Sequence, residues 1–293
     1  MGAPYKRLHQ KCFNKRFILI NFELRCLDIN LYFISLMKKK IVLIIGGTGQ
    51  YGLILSQLLL KKKNRVFVTS RFDKKINFFK KKYPSINFIK LSIYNKNKIE
   101  ICLKKVKPSV IFYFAGQSSP QKSFLKKNET LKSNFLGCKN ILEIILKKKL
   151  NIKFVNATSS EMYGHVRGKI NLNTPMKPLN PYGNAKKKSF NLVKSLREKL
   201  DMANYNAIMF NTESFLRDKN FLIAKICIGA IQAFNKKKKF TINNILVSRE
   251  WNWCNEQCKL LLEFLEKKPQ DFILSNGKLY SIEQMLNFAF QYF

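Results

Sequence analysis

Apolar residues in this chain gather in short unbroken runs, separated by longer stretches in which apolar and polar positions recur at helical spacing. Ile41 to Ile45 is apolar throughout, as a parallel strand buried on both faces would be. Leu53 to Leu60 follows with helical spacing. Further strands are predicted at 65–71, 86–93, 110–118, 151–157 and 204–210, and long helices at 126–148 and 182–200. Strands and helices alternating at these intervals predict an α/β fold, a doubly wound parallel sheet of the Rossmann type. From Phe215 the pattern changes to a turn–strand region around Ile242 to Trp251, an amphipathic helix from about Asn255 to Leu265, and an apolar helix from Ser281 to Phe293. That last helix ends on an apolar face without a cap, as a truncated one would. The expected division is a non-native or disordered extension over 1–36, a dinucleotide-binding domain over 37–214, and an incomplete C-terminal substrate lobe over 215–293.

The opening segment differs from the rest. Met1 to Arg16 is basic, and the apolar patches after it are broken by Glu23, Arg25 and Asp28. Phe17 to Ile20 falls short of the roughly 20 apolar residues a membrane span needs. Met37, followed by three lysines and the first strand, is the expected start of the fold.

Gly46, Gly47, Thr48, Gly49, Gln50, Tyr51 and Gly52 lie between the first strand and the first helix. Strand, glycine loop and helix in that order form a dinucleotide site. Gly46 permits the tight turn, Gly49 the approach of a pyrophosphate, and Gly52 a close helix–strand contact. The helix amino terminus then faces the phosphates. Arg71 ends the second strand, where an acid usually meets an unmodified ribose, and a cation there suits a 2′-phosphate and hence NADP over NAD. Phe114, Ala115, Gly116, Gln117 and Ser118 end the fourth strand in small residues across which a cofactor can lie.

Chemistry-bearing residues cluster after the fifth strand. Ser159 and Glu161 fall just past its carboxyl end, two apart in an expected extended segment, so they point the same way. Tyr182 and Lys186, four apart after Pro181, share a helix face. A phenol beside an ammonium can act as a base on an alcohol, because the cation holds down the phenol's pKa.

Composition adds little to the function. Lys and Arg number 55 against 17 Asp and Glu, a net +38. The lysine runs are spread along the whole chain at element ends, so the excess reads as compositional and not as a nucleic-acid surface, although it attracts anionic ligands such as nucleotides. Seven scattered cysteines without a CxxC pair, in apolar contexts at Cys102 and Cys227, suggest reduced thiols in a cytoplasmic protein. No metal cluster is expected.

The stretches Gly46–Gly52, Gly116-Gln-Ser118, Ser159-Ser-Glu-Met-Tyr-Gly164, Pro181-Tyr-Gly-Asn-Ala-Lys186, Phe210-Asn-Thr-Glu-Ser214, Arg217 with Asn220-Phe221, and Arg249-Glu-Trp251 carry a resemblance. From about Met37 onward the sequence resembles the extended short-chain dehydrogenase/reductase family and, within it, the GDP-mannose 4,6-dehydratases. The resemblance implies an NADP-dependent lyase with an internal redox cycle on GDP-mannose. Tyr182 would deprotonate the sugar C4 hydroxyl, with Ser159 hydrogen-bonding that hydroxyl and Lys186 supporting both the phenol and the nicotinamide ribose. NADP would take the C4 hydride and return it to C6, while Glu161 removes the C5 proton and helps expel the C6 hydroxyl. Asn211, Glu213 and Arg249 would line the sugar-nucleotide pocket. Thr212 and Arg217 match cofactor contacts near the nicotinamide, and Ser92 stands at the family's cofactor-side position near the adenine. Helices 126–148 and 182–200 resemble those that pair in family dimers, which implies a homodimer or higher homo-oligomer with no nucleic-acid or membrane partner.

Several positions depart from the family: Ser159 for Thr, Ser92 for Asp, Glu129 for a cofactor-side Tyr, Thr212 for His, Arg71-Phe72 for a double Arg, and Glu250 for Asp. The alternatives are another nucleotide-sugar dehydratase, epimerase or reductase, or an inactive NADP-binding chain.

Overall fold

A computed structural model describes residues 39–236, 239–242 and 244–292. The expected extension over 1–36 lies outside them. The chain divides into two compact units, one of Lys38–Met209 with Gln257–Leu274, the other containing Phe210–Glu256 and Ser275–Phe293.

The first unit is built on a seven-stranded sheet. In chain order its elements begin with β1 (Ile41–Ile45), α1 (Gln50–Lys61), β2 (Arg65–Ser70), α2 (Asp73–Lys82), β3 (Asn87–Lys90), α3 (Lys96–Val106) and β4 (Val110–Tyr113). Then come α4 (Pro120–Leu125), α5 (Lys127–Leu131), a π-helical turn (Lys132–Leu136), α6 (Gly137–Lys147), β5 (Lys153–Ser159), a 3-10 turn (Ser160–Met162), α7 (Pro181–Leu200) and β6 (Asn204–Met209). The strand order is β3-β2-β1-β4-β5-β6-β9, where β9 is Asp271–Leu274. Every pairing in it is parallel. Sheet order reverses between β1 and β4, the point where open α/β sheets take their ligands beyond the strands' carboxyl ends.

Unbroken apolar strands are stable here because helices cover the faces. On one face Leu43, Ile45, Ile111, Tyr113 and Phe154 pack with Ile99, Leu103, Ile141, Leu142 and Val193. Each such side chain contributes about 1.5–3 kcal/mol when fully buried.

β5 and β6 also carry buried polar residues. The Asn156 Nδ2 donates to Asn206 Oδ1 at 3.0 Å, and Asn206 Nδ2 donates to Asp271 Oδ1 at 2.9 Å. The same oxygen accepts from Arg197 Nη1 at 2.8 Å. This chain of polar contacts ties β5, β6, β9 and α7 together, and it fixes register in a way apolar contacts cannot.

The second unit has its own three-stranded sheet of β7 (Asn211–Glu213), β8 (Ser248–Trp253) and β10 (Leu279–Ser281), in the order β10-β8-β7. Its helices include α8 (Leu222–Lys236) and α10 (Ile282–Phe290), and α9 (Cys254–Leu265) follows β8 in the chain. Ile223, Ile226, Ala230, Trp251, Ile282 and Met285 form its core. Glu250 is buried, accepting from Asn252 Nδ2, Ser275 Oγ and the Asn276 N–H at 2.7–2.8 Å.

The parallel sheet is as expected, with differences of detail. Its seventh strand, β9, comes from a segment assigned by pattern to the C-terminal lobe. The division between the units falls after Met209, not after Ser214, because Asn211–Glu213 pair with β8. The helix expected over 126–148 is interrupted by the π-helical turn, where Ser133 Oγ donates to Glu129 O at 2.7 Å and Asn134 Nδ2 to Thr130 O at 3.0 Å. Such back-bonding side chains compete with the regular helix ladder.

Because Arg197 and Asp271 are mostly buried, at 13% and 9% side-chain exposure, losing one partner strands the other. Asp271→Ala is expected to lower stability by about 3–5 kcal/mol in urea unfolding. Asp271→Asn, which keeps an acceptor for Arg197 and Asn206, should cost clearly less.

Candidate functional site

The loop after β1 is built for a close ligand. Gly46 has φ +75°, and a Cβ there would sit 2.5 Å from Ala115 Cα, so β1 and β4 approach at the switch point only through glycine. The Gly46 N–H donates to Thr69 Oγ1 at 3.2 Å and the Gly47 N–H to Thr69 O at 3.0 Å, which binds the loop to β2. Thr48 Oγ1 donates to Ser70 Oγ at 3.3 Å. A Cβ on Gly52 would lie 2.2 Å from Gly47 Cα, so α1 rests directly on the loop. Gly49 differs from these: a Cβ there would meet nothing nearer than Gly46 O at 3.9 Å. It is the N-cap of α1 in extended conformation and has no side chain with which to cap the helix. An open glycine at a helix amino terminus fits a dinucleotide's pyrophosphate. Tyr51 packs against Phe114 with ring centroids 5.5 Å apart.

Phe114 to Ser118 is gripped by the π-helical turn. The Gln117 N–H donates to Ser133 Oγ at 3.1 Å, and Asn134 Nδ2 donates to Gln117 O at 2.9 Å. A Cβ on Gly116 would strike Asn134 Oδ1 at 2.2 Å. The interruption between α5 and α6 thus aims two polar side chains at the loop beside the β1–β4 crevice. π-bulges often mark functional sites. Sequence periodicity passed over Ser133 and Asn134; two small polar residues on the inner face of an apolar helix were the available signal.

Arg71 follows β2 and is half-exposed. Its Nη2 lies 2.6 Å from Glu129 Oε1, its Nη1 donates to Tyr94 Oη at 3.4 Å, and its guanidinium covers the Phe72 ring at 4.7 Å. Ser92 follows β3, and its carbonyl accepts from the Asn95 N–H at 3.3 Å.

The reactive corner is set by β5 and α7. Ser159 is the last residue of β5, not a residue beyond it, and Glu161 lies in the 3-10 turn, so the expected extended segment is replaced by a tight turn. Ser159 Oγ caps that turn by accepting from the Glu161 N–H at 3.3 Å. Glu161 Oε2 accepts from Asn180 Nδ2 at 2.7 Å, while Asn180 Oδ1 accepts from the Gly183 N–H at 2.8 Å as the N-cap of α7. One asparagine therefore starts the helix and holds the carboxylate. Asn180 followed by Pro181 was the readable signal, since Asn at N-cap and Pro at N1 open a helix. A Cβ on Gly183 would lie 2.3 Å from Glu161 O, so glycine lets the turn and helix touch.

Tyr182 and Lys186 are both buried on α7. Lys186 Nζ donates to Ala157 O at 2.7 Å and stands 5.7 Å from the centroid of the Tyr182 ring. Burial pulls the Lys186 ammonium down to about 8, opposed by the nearby Cys138 thiol.

The remaining candidates lie in the second unit. Thr212 is buried with Oγ1 donating to Phe210 O at 2.9 Å, and the Asn211 carbonyl accepts from Asn252 Nδ2 at 3.3 Å. Glu213 is 1% exposed. Its Oε1 lies 3.5 Å from Arg217 Nε, and its Oε2 has no hydrogen-bond partner among the described residues. Arg217 covers the Phe221 ring at 3.6 Å. Arg249 is exposed, with Nη1 donating to the Ser248 carbonyl.

Residues 43–293 match the family model described as GDP-mannose 4,6 dehydratase. A Drosophila melanogaster protein named GDP-mannose 4,6 dehydratase is 29% identical over 272 residues, covering 87% of this chain and 68% of that one. The Homo sapiens protein of that name is 28% identical over 273 residues, covering 86% and 72%. Among solved structures, the chain is similar to Thermus thermophilus UDP-glucose 4-epimerase complexed with NAD, at TM-score 0.75 and 17% identity over 84% of this chain and 81% of that one. It is also similar to dTDP-glucose 4,6-dehydratase from Streptomyces venezuelae, at TM-score 0.75 and 16% identity over 85% and 80%. At these identities the structural likeness establishes the fold.

Burial raises the Glu213 carboxyl to about 7, with Arg217 opposing it. The folded protein therefore keeps the Glu213 proton over a range in which the unfolded chain, titrating near 4.5, has released it. Stability from this group is complete below about pH 4.5 and is lost as pH rises toward 7. Between pH 5 and 7.5 the wild type should lose about 2 kcal/mol relative to Glu213→Gln, as followed by urea unfolding at fixed ionic strength.

Proposed function

Because the chain belongs to the GDP-mannose 4,6 dehydratase family, we propose that it removes water from GDP-mannose to form the 4-keto-6-deoxy nucleotide sugar, with NADP as cofactor. The observation that carries this reading is Glu161 held by Asn180 at the start of the helix that bears Tyr182 and Lys186. A reductase or epimerase needs the phenol and the ammonium but has no use for a carboxylate there.

The cofactor would be held by the loop Gly46–Gly52, by Phe114 to Ser118, by Arg71 at its 2′-phosphate, by Ser92, and by Lys186, Thr212 and Arg217. When bound, its nicotinamide supplies a reversible hydride acceptor. Tyr182 takes the proton of the substrate's C4 hydroxyl, and the charge of Lys186 favours the phenolate. Ser159 orients that hydroxyl. With C4 a ketone, the C5 proton is acidic, and Glu161 removes it. The C6 hydroxyl then departs as water, taking its proton from the same carboxyl group. C6 regains the hydride that C4 gave up and C5 takes the proton held by Tyr182, so neither a proton nor an electron pair is gained or lost overall. Asn211, Glu213 and Arg249 line the substrate's side, and the chain works as a homo-oligomer through α5–α6 and α7.

Two variants separate the steps. Glu161→Gln should lower turnover of GDP-mannose by at least about a hundredfold while leaving NADP binding unchanged. Product is read by mass spectrometry as loss of one water, and cofactor binding by tryptophan fluorescence. Wild-type turnover by Glu161→Gln would reject the carboxylate's role. Lys186→Met should cut the rate comparably and remove the fall in activity that deprotonation of the wild-type ammonium produces above about pH 8.

A further inference from the structure

The cation that suits a ribose 2′-phosphate is already engaged by an anion of this chain. Arg71 Nη2 and Glu129 Oε1 are 2.6 Å apart, and both side chains are partly exposed, at 42% and 33%. Lys126 Nζ adds a weaker contact with the other carboxylate oxygen at 3.6 Å. Glu129 does not simply reach across from a loose surface. It sits in the first turn of α5, and its backbone carbonyl accepts from Ser133 Oγ at 2.7 Å. That same hydroxyl accepts from the Gln117 N–H. The backbone at Glu129 is thus coupled to the loop beside the β1–β4 crevice, so its carboxylate reaches Arg71 from an anchored helix.

We propose that Glu129 is a specificity-determining residue: it competes with the cofactor's 2′-phosphate for Arg71 and narrows the preference for NADP over NAD. The proposal rests on the reading of Arg71 as the 2′-phosphate contact. A 2′-phosphate must displace the carboxylate from the guanidinium and then stand near its negative charge. An unphosphorylated ribose leaves the ion pair intact and incurs neither cost. The hydrogen bond to Arg71 keeps the Glu129 carboxyl below its ordinary range, so the competitor remains charged at neutral pH.

The test uses full-length protein and isothermal titration with adenosine 2′,5′-bisphosphate and with 5′-AMP, two probes that differ only at the 2′ position. Glu129→Gln should bind the bisphosphate about fivefold more tightly than wild type, the scale of a half-exposed charge contact, with AMP affinity unchanged. The double variant carrying Arg71→Gln as well should lose that gain. If Glu129→Gln leaves bisphosphate affinity at the wild-type value while Arg71→Gln weakens it, the competition is overturned and the 2′-phosphate reading of Arg71 stands. If neither substitution changes bisphosphate relative to AMP, Arg71 does not meet the 2′-phosphate, and the proposal falls with that reading.

Discussion

Lys186 carries its ammonium into the interior, 5% exposed, and the carbonyl of Ala157 receives it at 2.7 Å. A buried ammonium without a partner would cost several kcal/mol or give up its proton. This contact therefore fixes the rotation and height of α7 against β5. Other features follow from the same docking. Tyr182, one turn earlier, must sit on the same face. Gly183 must be glycine, because the helix comes so near the 3-10 turn that a Cβ would meet Glu161 O. Asn180 can then cap α7 and hold the Glu161 carboxylate together. The phenol, the ammonium and the carboxylate are positioned by a single helix–strand packing decision.

The cofactor end is governed by a similar economy. Glycines at 46 and 52 bring β1, β4 and α1 into contact that any side chain would block, while Gly49 stays open at the start of α1. The two kinds of glycine differ: at 46 and 52 a Cβ would collide with the protein itself, and at 49 it would meet open space. The π-helical turn belongs to the same machinery. Its cost is a break in a long helix, and its return is a pair of side chains that hold Gln117 beside the crevice.

Much of this was legible in the chain. Ile41 to Ile45, the glycine loop, and the Tyr182–Lys186 spacing lead straight to strand, loop and helix because apolar runs and glycine spacing are local signals. Arg71 was readable as a cation at the end of β2, but its pairing with Glu129, 58 positions away, was not. Strand β9 was missed for a related reason: a four-residue strand after a lobe of different pattern looks like part of that lobe. Its place beside β6 is set by Asp271 meeting Asn206 and Arg197. The extended geometry expected at Ser159 and Glu161 failed because the Ser159 hydroxyl caps a tight turn, a local hydrogen bond that competes with strand continuation.

The central claim is that the phenol, the ammonium and the carboxylate act on one sugar whose C4 hydrogen migrates within the molecule. It is tested most directly by supplying GDP-mannose deuterated at C4 and locating the label in the product by NMR and mass spectrometry. The account predicts a 4-keto-6-deoxy sugar with the deuterium at C6. Deuterium still attached to C4, or a product that has kept its C6 hydroxyl, would contradict it.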